Sequence, residues 1–265
     1  MAKIKPQKRL GQNFLIDDAI ANAIVREADV KGRDVLEIGP GTGALTFKLA
    51  DVAKRLVAVE LDRRLYNRLK ERMEQRENVV LVWGNIMNVN LDDFFEGQFA
   101  VVANLPYYIT TPIIMRLMEF RAKIDKVVVM VQKEVGRRIV AVPGSKDYGA
   151  LSIAVQYNAI PELVLEVPRE CFKPQPAVDS VVVRMRMREK PLVDVNEENF
   201  FKVVRAAFSS RRKTLLNALY GNIAGDKNVL RKVIVECGID PGARAETLSL
   251  YQFACLSNKL EQLLF

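Results

Sequence analysis

From Asp34 onward the chain repeats one alternation: a short aliphatic run, a turn, then a longer stretch with one apolar and one charged face. Asp34 to Ile38, Arg55 to Glu60, Val79 to Trp83, Phe99 to Ala103 and Lys126 to Val131 predict buried strands. Ala44 to Ala50, Arg63 to Gln75, Pro112 to Phe120 and Lys133 to Val140 predict the helices between and after them. An earlier helix, Ala19 to Ala28, follows Asp17 or Asp18 as N-cap. Strands alternating with helices imply right-handed crossovers and a mostly parallel sheet covered on both faces.

The pattern changes after Gly149. Ala150 to Tyr157 reads as a helix, and Glu162 to Val167 with Val181 to Met187 as strands joined only by a loop, which suits an antiparallel edge. In the second of these strands Arg184, Arg186 and Arg188 alternate with Met185 and Met187, predicting one basic and one apolar face. Lys190-Pro191 marks a boundary. Beyond it Asn199 to Phe208, Lys213 to Leu219, Asn228 to Glu236 and Ser249 to Leu264 are all helical in pattern. The expected architecture is α/β: a Rossmann-like catalytic domain over residues 1–189, and a small all-helical C-terminal domain over 190–265.

Composition narrows the chemistry. The net charge of +8 over 265 residues fits a polyanionic partner. Histidine is absent, which removes the commonest general base, and Cys171, Cys237 and Cys255 form no CxxC pair, so no metal site is expected. No apolar run is long enough to cross a membrane, and the basic start, Met1 to Leu10, has no apolar core of a secretory signal. A reducing, cytoplasmic location is expected.

The first strand runs into Glu37-Ile38-Gly39-Pro40-Gly41-Thr42-Gly43, and the second ends in Glu60. Glycines there let backbone approach a ligand, and an acid at the end of the second strand can accept from ribose hydroxyls. The G-x-G-x-G spacing, with an acid before it, is the usual S-adenosylmethionine pattern; the dinucleotide pattern of dehydrogenases is G-x-G-x-x-G. After the third strand, Asn85 is placed to meet the adenine edge of the cofactor, or equally to cap a turn.

The fourth strand runs into Asn104-Leu105-Pro106-Tyr107-Tyr108-Ile109. An adenine amine is a poor nucleophile because its lone pair is delocalised into the ring. Two acceptors around it, the Asn104 side-chain oxygen and the Leu105 or Pro106 carbonyl, can localise that pair without a general base. Tyr107 can stack on the base. Phe172, in Phe172-Lys173-Pro174-Gln175-Pro176, can close the base's other face or belong to the core.

Taken together, Gly11-Gln12-Asn13-Phe14-Leu15, Glu37 to Gly43, Asn104 to Tyr107, and Phe172-x-Pro174-x-Pro176-x-Val178-x-Ser180 resemble, in order and spacing, the ribosomal RNA adenine dimethyltransferase family over essentially the whole chain. The resemblance implies dimethylation, with S-adenosylmethionine, of two adjacent adenosines in a hairpin loop near the 3′ end of small-subunit ribosomal RNA, late in assembly; a monomer is the default expectation. It implies cofactor contacts from Asn13, Leu15, Gly39, Glu60, Asn85 and Asn104, and a base held between Tyr107 and Phe172. The family usually has Asp where this chain has Asn85. The related erythromycin-resistance methyltransferases, which act on large-subunit RNA, fit Thr110-Thr111-Pro112 and Gly11 less well. Candidate phosphate contacts are Lys3, Lys5, Lys8 and Arg9 in the N-terminal arm, and Arg211, Arg212 and Lys213 at the start of a predicted helix in the small domain.

Overall fold

The structure, a computed structural model, describes residues 5–7, 10–210, 212–223 and 225–264. In chain order the elements are β1 (Phe14–Leu15), α1 (Asp18–Ala28), β2 (Asp34–Ile38), α2 (Thr46–Val52), β3 (Arg55–Glu60), α3 (Arg63–Met73), β4 (Val79–Trp83), β5 (Phe99–Asn104), α4 (Thr110–Glu119), β6 (Ile124–Gln132), α5 (Lys133–Val140), α6 (Ala150–Asn158), β7 (Ala159–Val167), β8 (Phe172–Lys173), β9 (Ser180–Met187), α7 (Glu197–Ala207), α8 (Leu215–Tyr220), α9 (Lys227–Glu236) and α10 (Leu250–Leu264).

The main sheet has the order β4-β3-β2-β5-β6-β9-β7. β4 through β6 are parallel, and β9 runs antiparallel to both β6 and β7. The central strands are aliphatic throughout because both of their faces are covered: Leu36, Val101 and Val128 are fully buried. From β2 the chain winds outward to β3 and β4, then returns to β5 on the other side. That reversal opens a crevice at the carboxyl ends of β2 and β5, where open α/β sheets bind ligands.

Two features depart from expectation. Arg184 of β9 is not on a free basic face, because its guanidinium pairs with Glu27 and Glu162, each at 2.9 Å. A second sheet, β1 paired antiparallel with β8, places Leu15 opposite Phe172. It ties the N-terminal segment to the proline-rich loop.

The chain divides into two compact units, residues 1–136 with 159–189, and residues 137–158 with 190–265. The expected boundary at 189/190 is one of the crossings. Residues 137–158, expected in the catalytic domain, belong instead to the helical unit. Ile153 and Tyr157 explain why: they are buried in that unit's core with Phe200, Leu219, Ile234 and Phe253, and the Tyr157 ring stacks on Phe200 at 5.2 Å. A Cys237–Cys255 disulfide joins the end of α9 to α10. The wide cysteine spacing, from which a reducing compartment was expected, gave no sign that these two residues meet. No helix among the described residues is long and apolar enough to cross a membrane.

Candidate active site

The crevice is a cavity whose wall contains the glycine-rich turn, the ends of β3 and β5, and the N-terminal segment from Leu10 to Leu15. The turn's geometry depends on its glycines. Gly39, Gly41 and Gly43 have φ of 66°, 62° and 93°, and a Cβ on Gly43 would stand 2.6 Å from the Phe47 ring. The Gly41 N–H donates to Glu60 Oε2 at 2.9 Å, and the Asp62 N–H donates to Glu60 Oε1 at 2.7 Å. Burial raises the Glu60 pKa against these two donors. Each oxygen keeps a further lone pair for a ligand hydroxyl.

Glu37 is 2% exposed and lines the same cavity, and its Oε2 has no hydrogen-bond partner. Burial pushes its carboxyl up to about 8. A buried acceptor left open on a cavity wall fits a donor or a cation on a ligand.

The N-terminal segment is held to this wall by side chains whose role the sequence reading missed. Gln12 Nε2 and Gln7 Nε2 donate to Asp62 Oδ2 at 3.0 and 3.1 Å. The Arg64 guanidinium beside Asp62 holds that carboxyl down at about 2. Gly11, with φ 57°, packs so closely that a Cβ would touch the Tyr108 ring at 3.0 Å. Asn13 and Leu15 therefore both reach the cavity wall.

At the end of β5, Asn104 Nδ2 donates to the Asn13 carbonyl at 3.3 Å, and its Oδ1 has no partner among the described residues. The Pro106 carbonyl is occupied by the Ile109 N–H at 3.2 Å and the Thr110 hydroxyl at 2.9 Å. No described donor meets the Leu105 carbonyl, so of the two backbone acceptors left open by the sequence, Leu105 supplies the free one. Tyr107 lines the cavity with its hydroxyl 2.7 Å from Ser180 Oγ. Asn85 caps a turn, its Oδ1 accepting from the Met87 N–H at 3.0 Å, and it also lines the cavity.

Phe172 is a correction. It does not line the cavity; it is 3% exposed and lies in the core beside Leu15, Val167 and Val182. The β1–β8 pairing buries Phe172 and leaves its neighbour Lys173 exposed. In the helical unit Arg212 and Lys213 are exposed, in the loop before α8 rather than on it, with Thr214 as N-cap. Arg211, Lys3, Lys8 and Arg9 lie outside the described residues. No group of three or more acidic or cysteine side chains among the described residues forms a metal cluster.

The family model for ribosomal RNA adenine dimethylases matches residues 3–262. The chain belongs to that family. Ribosomal RNA small subunit methyltransferase A of Bacillus cytotoxicus is 49% identical, covering 96% of this chain and 91% of the relative. The same protein of Bacillus mycoides is also 49% identical over the same shares. Among solved structures, a dimethyladenosine transferase from Plasmodium falciparum aligns with a TM-score of 0.81 at 27% identity, over 94% of this chain and 98% of that one. The 23S rRNA methyltransferase ErmE aligns at 0.70 with 28% identity, over 94% of this chain and 100% of that one. The expected fold, enzyme class and methyl-donor cofactor are those of this family. The residues present fit S-adenosylmethionine: Gly39, Gly41, Glu37 and Glu60 line one cavity, the Glu60 carboxylate offers acceptors for hydroxyls, and the open Glu37 oxygen suits a cationic ligand.

Proposed function

We propose that this chain dimethylates two adjacent adenosines in a hairpin loop near the 3′ end of small-subunit ribosomal RNA. In this reading it acts as a monomer, late in subunit assembly, in the cytoplasm. One observation carries the chemistry: Asn104 Oδ1 and the Leu105 carbonyl are two free acceptors at the carboxyl end of β5. S-adenosylmethionine, when bound, supplies the electrophilic methyl group. The two acceptors take the amine's hydrogen bonds and turn its lone pair out of the ring plane. Pro106, with φ −61°, fixes the turn that carries them. The Tyr107 ring stacks on the base and orients it, and a proton leaves after transfer, so no histidine is needed.

The small-subunit substrate is supported by the 49% identity to relatives that bear that name. The exposed Arg212 and Lys213, with Arg211, are suited to phosphates of an RNA stem. Asn104→Ala tests the chemistry. It is expected to lower single-turnover methyl transfer at least a hundredfold, with cofactor binding weakened far less. Transfer within a few-fold of the parent protein would refute the acceptor role.

A further inference from the structure

We propose that Ser180 is a positioning residue that locks the Tyr107 ring in its base-stacking orientation. The inference rests on the reading of Tyr107 as the stacking ring, and it joins two segments that are 73 residues apart in sequence.

Ser180 is the first residue of β9 and is fully buried. Its backbone is held on both sides, opposite Gln132 of β6 and opposite Val167 of β7. Its hydroxyl therefore sits at a fixed point of the sheet. Tyr107 OH lies 2.7 Å away, and Ser180 Oγ has no second hydrogen-bond partner among the described residues. The other end of Tyr107 is equally constrained. Its backbone follows Pro106, whose carbonyl is tied down by the buried Thr110 at 2.9 Å. A ring fixed at its Cα by the turn and at its hydroxyl by the sheet has no rotamer freedom left to lose when a base arrives. The hydroxyl bond does not touch the reacting atoms. It sets where the ring stands, and so where the target amine stands relative to Asn104 Oδ1 and the Leu105 carbonyl. It also gives the proline-rich loop a role that Phe172, buried in the core, does not fill: the loop ends by delivering Ser180.

The test is a double-mutant cycle on the full chain, using Ser180→Ala, Tyr107→Phe and the pair together, with Ser180→Thr as the hydroxyl-keeping control. Single-turnover methyl transfer to unmethylated small subunits and S-adenosylmethionine affinity are measured for each. Ser180→Ala and Tyr107→Phe are each expected to slow transfer roughly tenfold, the worth of one buried hydrogen bond. The pair should be no slower than either alone, Ser180→Thr should restore most of the rate, and cofactor affinity should stay unchanged throughout. Independent effects that multiply in the pair, or single variants as fast as the parent, overturn the proposal. If Ser180→Ala does not fold, Tyr107→Phe against the parent still decides it. A parent chain that transfers no methyl to these subunits overturns the proposed function instead, which keeps the two failures apart.

Discussion

The Gly41 N–H donates to Glu60 Oε2 at 2.9 Å, joining the first glycine turn to the end of the neighbouring strand. The bond aims the carboxylate into the cavity and gives the turn a partner across the sheet. Glu60→Gln replaces one acceptor oxygen with a donor, which then faces either the Gly41 or the Asp62 N–H. We expect S-adenosylmethionine affinity to fall by about tenfold or more, through loss of charge-assisted bonds to the ribose and loosening of the turn. Titration followed by the fluorescence of Trp83, the single tryptophan, reads this out. Equal affinity would remove Glu60 from the ribose site.

Glu37 makes stability depend on pH in a defined direction. Its folded pKa, raised by burial from 4.5 to about 8, means that the folded chain holds a proton which the unfolded chain gives up. Its favourable contribution is complete below 4.5 and is lost as pH rises through 8, with a slope near 1.4 kcal/mol per pH unit between them. A cationic ligand beside it favours the carboxylate, so cofactor binding should release a proton and tighten as pH rises through neutrality. Chemical denaturation from pH 5 to 8, with Glu37→Gln as control, tests the first part, and calorimetry in two buffers of different ionisation enthalpy tests the second. A variant whose pH slope matches the parent's refutes the assignment.

Asn85 spends its side-chain oxygen on the Met87 N–H at 3.0 Å, which leaves its amide nitrogen for the cavity. An aspartate would cap the same turn with one oxygen and offer the second to the cofactor's adenine amine. Asn85→Asp should therefore tighten S-adenosylmethionine binding by about 1 kcal/mol, roughly fivefold. No gain, or a loss, shows that the adenine does not depend on an acceptor there.

In the proposed function Arg211 and Arg212 serve RNA and not the cofactor. Reversing both charges, Arg211→Glu with Arg212→Glu, should weaken RNA binding and flatten its dependence on salt, with S-adenosylmethionine affinity unchanged. An RNA affinity equal to the parent's across a salt titration counts against the helical unit as a phosphate-binding surface.

The sequence made the parallel sheet plain because its signal is local. Leu36, Val101 and Val128 are buried on both faces, and a run of aliphatic residues bounded by turns is enough to mark such strands. The glycine turn and the Asn104 turn were readable for the same reason, since each is one short segment at a strand end. What stayed hidden depends on pairing between distant segments. Two-residue strands such as Phe14–Leu15 and Phe172–Lys173 carry no periodicity, so nothing local showed that Phe172 meets Leu15 and is buried. The Gln12–Asp62 and Tyr107–Ser180 bonds are equally non-local. Ala150 to Tyr157 reads simply as a helix, and the packing of Ile153 and Tyr157 in the core around Phe200 is what assigns residues 137–158 to the helical unit.

The most direct measurement is methyl transfer from labelled S-adenosylmethionine to small ribosomal subunits lacking these methyl groups, with the digested RNA analysed by nucleoside. The account predicts label in dimethyladenosine at two adjacent positions near the 3′ end, four methyl groups per subunit, and loss of that product in Asn104→Ala. Label found only in large-subunit RNA, or in no adenosine at all, would contradict it.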